Sequence, residues 1–413
     1  MTERIHVNQQ AFEDGSSPTL GSSIATTVRN QSFSYSKDAV KDTLSQDYNT
    51  AKRALSTAPP NDAYLHWDAP GVEGIEPDDD AKAHKIADTM NKMQKHNFDK
   101  HRHAFRATHV KTQGLVKGTL AVPSDLPPHL SQRLFAHPGT YAIAARYANE
   151  PIFLQPDSEP GPRGMSIKSF NVHGERLEPP GNENLSTQDF FFNNAPIIEL
   201  TDIDTCLEIM QLREKYFDSP NGLALALKSR TDAIKQHAPG MLPNTDMISH
   251  SMYTQSAFRF GEYYGHMAMF PVLPEMKEKS GETVSSSGSY SQISDWLFDY
   301  FKGAPAKYEI KIQLGTSPAH HPTEDASIVW DEATAPYQMI GTVEFPVQDS
   351  FSQERRVFWE DHMVLDPCKG LAAHRPLGSI NRLRKVVYGR SQKRRDELNA
   401  KKSSDIQSID EMP

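Results

Sequence analysis

One stretch constrains this chain more than any other: His374-Arg375-Pro376-Leu377-Gly378-Ser379-Ile380-Asn381-Arg382-Leu383-Arg384-Lys385-Val386-Val387-Tyr388-Gly389-Arg390-Ser391-Gln392-Lys393-Arg394-Arg395. It reads as one helix. A helix turns by about 100° per residue, so Arg384, Tyr388 and Arg395 fall at roughly 0°, 40° and 20° on a single narrow stripe. A phenol between two guanidiniums can meet one ligand with all three groups. Tyrosine titrates near pH ~10 in water, so a phenolate at neutral pH needs a metal cation, an adjacent positive charge, or both. Arg384, one turn before Tyr388, supplies such a charge.

The rest of the chain supplies a barrel or sandwich for that helix to pack on. Tyr308, Ile310, Ile312 and Leu314 alternate with Lys or polar residues, the pattern of a half-buried strand, and Ile340 to Val347 predicts another. Earlier, Leu115 to Val122, Tyr141 to Tyr147 and Arg163 to Phe170 read as short strands separated by turn residues. Helices are expected from Asp78 to about Phe98, with Ile86, Met90, Met93 and Asn97 on one face, and from Asp202 to Tyr216, with a further helical stretch from Leu223 to Ile234. The Ser/Gly/Glu-rich segment from Lys277 to Ser291 reads as a mobile surface loop. Strands, helices, strands and a final basic helix amount to an α+β fold. Residues 1–60, rich in Ser, Thr, Gln and Asn, are expected to form a flexible arm, ordered only by wrapping a partner subunit in a homo-oligomer. Residues 61–402 then form the folded domain and 403–413 a disordered tail.

Composition narrows the function. A formal charge of −9 gives no broad electrostatic case for nucleic acid, although the end from Arg382 to Lys402 is strongly basic. With only two cysteines, Cys206 and Cys368, in 413 residues, a disulfide framework and a thiolate metal cluster are both disfavoured, and two reduced thiols are expected. No apolar run approaches the ~18 residues a membrane helix needs, and neither a secretory hydrophobic region nor a peroxisomal address is read, so the expected location is the cytoplasm.

Five motifs occur in a recognisable order. They are Arg106-Ala107-Thr108-His109-Val110, Ala144-Ala145-Arg146-Tyr147, Gly161-Pro162-Arg163-Gly164-Met165, Asp189-Phe190-Phe191-Phe192-Asn193-Asn194-Ala195-Pro196, and the Arg384/Tyr388/Arg395 helix. Together they span about residues 105 to 399 and resemble the catalase-like haem protein superfamily, in particular its compact fungal and bacterial branch. Tyrosine is the axial ligand of haem iron in catalases. The resemblance implies a catalase-like antiparallel β-barrel with surrounding helices and a C-terminal haem-ligating helix. It also implies haem b as the cofactor, a small-molecule peroxide as substrate and the following roles. Tyr388 would bind the iron, with Arg384 beside it. Arg106, Arg146 and Arg395 would meet the cofactor's propionates. His109 would move the proton that O–O cleavage requires. Either Asn193 or Asn194 would direct its amide to the peroxide; aligning the proline selects Asn193, and a one-residue slip selects Asn194.

The chain also departs from conventional catalases. Gly389-Arg390 follows Tyr388 where they tend to have Pro-Asp, and Gln392 stands where they have histidine. Thr108 stands where they usually carry an apolar β-branched residue, whereas catalase-related allene oxide synthases carry threonine. A hydroxyl hydrogen-bonded to His109 would restrain the imidazole, which suits rearrangement or reduction of an organic hydroperoxide, such as a fatty-acid or tailoring substrate. Two other readings are a compact catalase or peroxidase acting on hydrogen peroxide, in which Thr108 is only a strand former, and a haem-binding protein without turnover. A proton shuttle at His109 argues against the last.

Overall fold

The computed structural model describes residues 63–177 and 184–413. The expected N-terminal arm, 1–60, lies outside the described residues. Nine strands form one antiparallel sheet: β1 (Lys111–Val122), β2 (Gly139–Asn149), β3 (Arg163–Phe170), β4 (Thr187–Asn193), β5 (Met252–Tyr253), β6 (Phe258–Phe260), β7 (Tyr263–Pro271), β8 (Ala306–Leu314) and β9 (Tyr337–Phe345). Their order is β5-β4-β3-β2-β1-β9-β8-β7-β6, and β5 also pairs with β7. That extra pairing closes eight strands into a barrel, with β6 attached to β7. Closure removes the open edges that an eight-strand sheet would otherwise present. The seam joins β1 to β9 through Thr119↔Glu344, Leu120↔Val343 and Ala121↔Thr342.

The barrel fills with the side chains that the strand periodicity points inward. On β8, Tyr308, Ile310, Ile312 and Leu314 are buried while Lys307, Glu309 and Lys311 are partly exposed. Met165, Ile167, Phe190, Phe192 and Phe345 join the same core. Each such side chain contributes about 1.5–3 kcal/mol when fully buried. β3 is buried at all eight residues. There Lys168 meets Asp189 at 2.7 Å with both side chains shut off from solvent.

Eight helices of the described residues pack around the barrel: α1 (Asp79–His101), α2 (Ile203–Lys215), α3 (Pro220–Lys228), α4 (Ala233–His237), α5 (Pro274–Glu278), α6 (Gln292–Gly303), α7 (Gln353–Asp361) and α8 (Ser379–Asn399). The stretch expected to run from Leu223 to Ile234 breaks after Lys228, and Asp232, hydrogen-bonded to Arg230, sits just before α4. The expected loop from Lys277 begins inside α5. α8 starts at Gly378, whose φ of +85° suits glycine and whose missing Cβ leaves room for the Thr323 carbonyl. Its apolar face, Ile380, Leu383 and Val387, packs on Ile86, Met90 and Met93 of α1. Arg382 is spent on anchoring this helix, at 2.7 Å from Glu324, 2.8 Å from Asp79 and 3.2 Å from Glu73. Arg390 pairs with Asp88 of α1. Much of the basic run is therefore neutralised within the protein.

The expected disordered tail is instead packed. Ser404 N–H donates to the His362 carbonyl at 2.6 Å, and Ile406 and Met412 are buried against Trp359 and Met363. The Trp359 indole N–H points at the Met412 sulfur, 3.2 Å away. Three spaced apolar residues, Ile406, Ile409 and Met412, offset the ordering cost of an otherwise polar segment.

Candidate active site

Between α8 and the outer face of the barrel lies a cavity of about 940 Å³, mouth included. α8 contributes Arg384, Tyr388, Gln392 and Arg395, all on the stripe or close to it. The barrel side contributes Thr108 and His109 just before β1, Arg146 of β2, Gly164 and Met165 of β3, and Phe191 and Asn193 of β4. Arg106 and the segment from Met363 to Leu365 complete the walls.

His109 has a backbone φ of 53°, a left-handed conformation that histidine adopts more readily than most residues. It is clamped there from both sides. Its N–H donates to the Glu150 carbonyl at 2.8 Å, and its own carbonyl accepts from Arg146 at 2.7 Å. The imidazole lies on Gly164: a Cβ at that position would stand 2.4 Å from His109 Cε1 and 2.6 Å from Nδ1. Gly164 is thus required for close approach of the ring, not for a turn. Burial, with Arg146 and Arg384 nearby, pushes the His109 imidazole down to about 3, so it is neutral at physiological pH. The Thr108 hydroxyl lines the cavity, but among the described residues no hydrogen bond joins it to His109. The restraint expected of Thr108 is absent from this structure.

The two asparagines part ways because neighbouring residues at a strand end face opposite sides. Asn193 faces the cavity and is 4% exposed; its Nδ2 donates to Glu150 Oε2 at 3.1 Å and its Oδ1 has no partner. Asn194 is turned away. Its Oδ1 accepts from the Arg163 backbone N–H at 2.8 Å and its Nδ2 donates to His250 at 3.2 Å. Asn194 therefore braces the backbone, and the proline alignment selects the residue that lines the cavity.

Tyr388 packs edge-on against Phe191, ring centres 5.4 Å apart. Burial raises its phenol above the ordinary tyrosine value, and Arg384 opposes that rise. Arg384 acts through space, since its Nη1 donates to Asn381 at 2.9 Å. Around the far end of the cavity, Arg106, Arg146 and Arg395 converge on a residue that the motifs did not reveal, Glu360 of α7. Arg106 Nη1 is 3.2 Å and Arg146 Nη2 3.5 Å from its carboxylate, and the Thr112 hydroxyl donates to it. Burial would raise this acid, but Arg146, Arg106, the Thr112 bond and Arg395 together hold it down at about 2. Arg395 is 4% exposed, with its Nε unpartnered, and burial beside Arg106 lowers it to about 9. Arg106 and Arg146 pair with this carboxylate, and Arg395, which acts on it through space, donates instead to the Ser403 hydroxyl at 3.1 Å.

No protein-family model matches this sequence, and no curated protein matches it. Solved structures do. The chain is similar to a fungal catalase at 15% identity and TM-score 0.51, over 74% of this chain and 64% of that one. It is similar to catalase A from Saccharomyces cerevisiae at 13% identity and TM-score 0.51, over 72% of this chain and 62% of that one. The match thus covers just under two thirds of each catalase. The protein has the catalase fold: an eight-stranded antiparallel barrel with surrounding helices. Among the described residues, no helix is long and apolar enough to cross a membrane.

Proposed function

We propose that this protein is a haem-dependent enzyme acting on peroxides. The observation that carries this reading is the convergence on one cavity of a phenol, a neutral imidazole, an amide and four arginines, from segments up to nearly 300 residues apart. The residues fit haem. The guanidiniums of Arg106, Arg146 and Arg395 on the cavity lining suit a ligand with carboxylates, and apolar walls of Met90, Phe191, Leu365 and Val387 suit a flat macrocycle. Among the described residues no group of three or more His, Cys, Asp and Glu side chains is placed to hold a metal ion. A lone phenol at Tyr388 suits a metal that brings its other ligands with it.

Haem, when bound, supplies the iron at which the O–O bond breaks. Tyr388 would hold that iron, and Arg384 would favour the phenolate over the phenol. Arg106, Arg146 and Arg395 would hold the propionates. His109, neutral and fixed over Gly164, takes the peroxide proton and returns it to the departing oxygen. Asn193 contacts the peroxide through its amide. Two substrate classes fit. The apolar lining supports an organic hydroperoxide, rearranged or reduced at the site. The unbonded Thr108 hydroxyl leaves the imidazole without the expected restraint, which favours hydrogen peroxide.

Tyr388→Phe tests the cofactor assignment: it should purify with little haem, whereas haem content and absorption equal to wild type would overturn it. Stopped-flow mixing of the haem-loaded protein with hydrogen peroxide and with a fatty-acid hydroperoxide ranks the substrates.

A further inference from the structure

Glu150 is used by none of the motifs, yet it touches both groups assigned to peroxide chemistry. It follows β2 directly. Its backbone carbonyl accepts the His109 N–H at 2.8 Å, its own N–H donates to the Pro162 carbonyl at 3.1 Å, and its side chain accepts from Asn193 at 3.1 Å. The backbone is thus fixed and only the carboxyl is left to respond to its surroundings. An ionised carboxylate is an acceptor only, so it must take the amide's Nδ2 and turn Asn193 Oδ1 elsewhere. That oxygen is buried at the cavity wall and has no partner among the described residues. A buried amide with one end paired and the other bare is poised toward a ligand that donates a hydrogen bond.

We propose that Glu150 is a positioning residue that selects which end of the Asn193 amide faces the substrate, presenting the carbonyl when ionised and the NH₂ when protonated. The consequence for peroxides rests on the functional reading above; the amide switch itself does not. On proton uptake, the Glu150 O–H donates to Asn193 Oδ1. The amide then rotates about its terminal torsion, which has two broad, nearly equivalent minima. Nδ2 then points into the cavity. An acceptor becomes a donor with no backbone movement.

The surrounding charges allow both states. Glu199, paired with Arg213 of α2 at 3.1 Å, is the like charge facing Glu150. Burial and Glu199 raise the Glu150 carboxyl, while Arg213, the Asn193 bond and Arg384 of α8 pull it down, leaving it near 7. His109 is neutral in this range and adds no charge. The donor form therefore prevails below neutral pH and the acceptor form above it.

Infrared difference spectra of the whole protein, with asparagine isotopically labelled, test the switch with or without peroxide chemistry. Acidification through neutral pH should bring up a protonated-carboxyl band together with a shift in the asparagine amide band, and Glu150→Gln should abolish both. Glu199→Gln should move the transition to lower pH by removing the like charge. In the haem-loaded wild type, the peroxide rate should change by about 2- to 10-fold across the same transition, the worth of one neutral hydrogen bond. Glu150→Gln should flatten that profile. A carboxyl band with no amide shift, or one that persists in Glu150→Gln, overturns the switch. An intact switch with no peroxide reaction would leave Glu150's role standing and sink the functional reading instead.

Discussion

Glu360 and Glu150 each stand behind residues that line the cavity, the first behind Arg106 and Arg146 and the second behind Asn193, and they meet opposite fates. Both are partly buried, which by itself raises a carboxyl. Glu360, facing Arg106, Arg146 and Arg395, is held down at about 2, whereas Glu150, facing Glu199, rises to about 7. Burial raises both acids; at Glu360 the arginines overcome it, whereas at Glu150 Glu199 adds to it. On the function proposed above, the arginines backed by Glu360 form an anion-holding wall, and His109 and Asn193 backed by Glu150 form a proton-handling wall. The first keeps fixed charge; the second has groups that can be neutral near physiological pH.

The division can be broken from either wall. His109→Ala should leave haem bound, because nothing on the anion-holding wall changes, and should slow the reaction with peroxide by roughly 10²–10⁴-fold, the usual worth of general acid–base catalysis. Loss of haem in this variant would show that the walls are not separable. Glu360→Gln leaves buried guanidiniums without their carboxylate and should lower the stability of the haem-free protein by about 3–5 kcal/mol, read by denaturant unfolding. The loss should be greatest at neutral pH. A carboxyl held below its ordinary value contributes stability that is present above the unfolded pKa near ~4.3 and is lost as pH falls toward the folded value near 2. Equal stability of the two proteins at neutral pH would mean that Glu360 is not the counter-ion. Thr108→Val should have the smallest effect. With no bond to His109 to remove, it should shift the ratio of hydrogen peroxide to organic hydroperoxide turnover only a few-fold, with haem content unchanged; a rise in oxygen evolution beyond tenfold would restore the restraint this structure lacks.

What was legible in the sequence follows from locality. β8 could be read because one of its faces is solvated, so its pattern alternates; β4 could not, because nearly every residue of Thr187–Asn193 is buried and no alternation survives. The Arg384, Tyr388 and Arg395 stripe lies on one helix, so its geometry is written in residue spacing. Glu360 lies 254 positions from Arg106, and nothing in spacing joins them. The choice between Asn193 and Asn194 depends on strand register, which a motif does not contain. The need for glycine at 164 is equally hidden, because the ring it accommodates comes from His109, more than fifty residues earlier. The tail misled because its polar composition outweighed Ile406 and Met412, whose partners on α7 are likewise remote.

The β1–β9 seam carries a consequence for the order of assembly. Thr119 and Glu344 are roughly 225 residues apart, so the barrel closes only after a long loop has been brought together, a step whose entropic cost precedes any gain from contact. The cavity's walls run from Met90 to Arg395 and share that dependence. A nascent chain that ended before α8 would hold the histidine and the amide but no phenol. The isolated helix would hold the phenol as part of an unpaired basic peptide, with neither the barrel nor Glu360 to receive it. Completion of the cavity is therefore a late event in the life of each molecule, and a ligand that needs all of its walls finds no complete site earlier in synthesis.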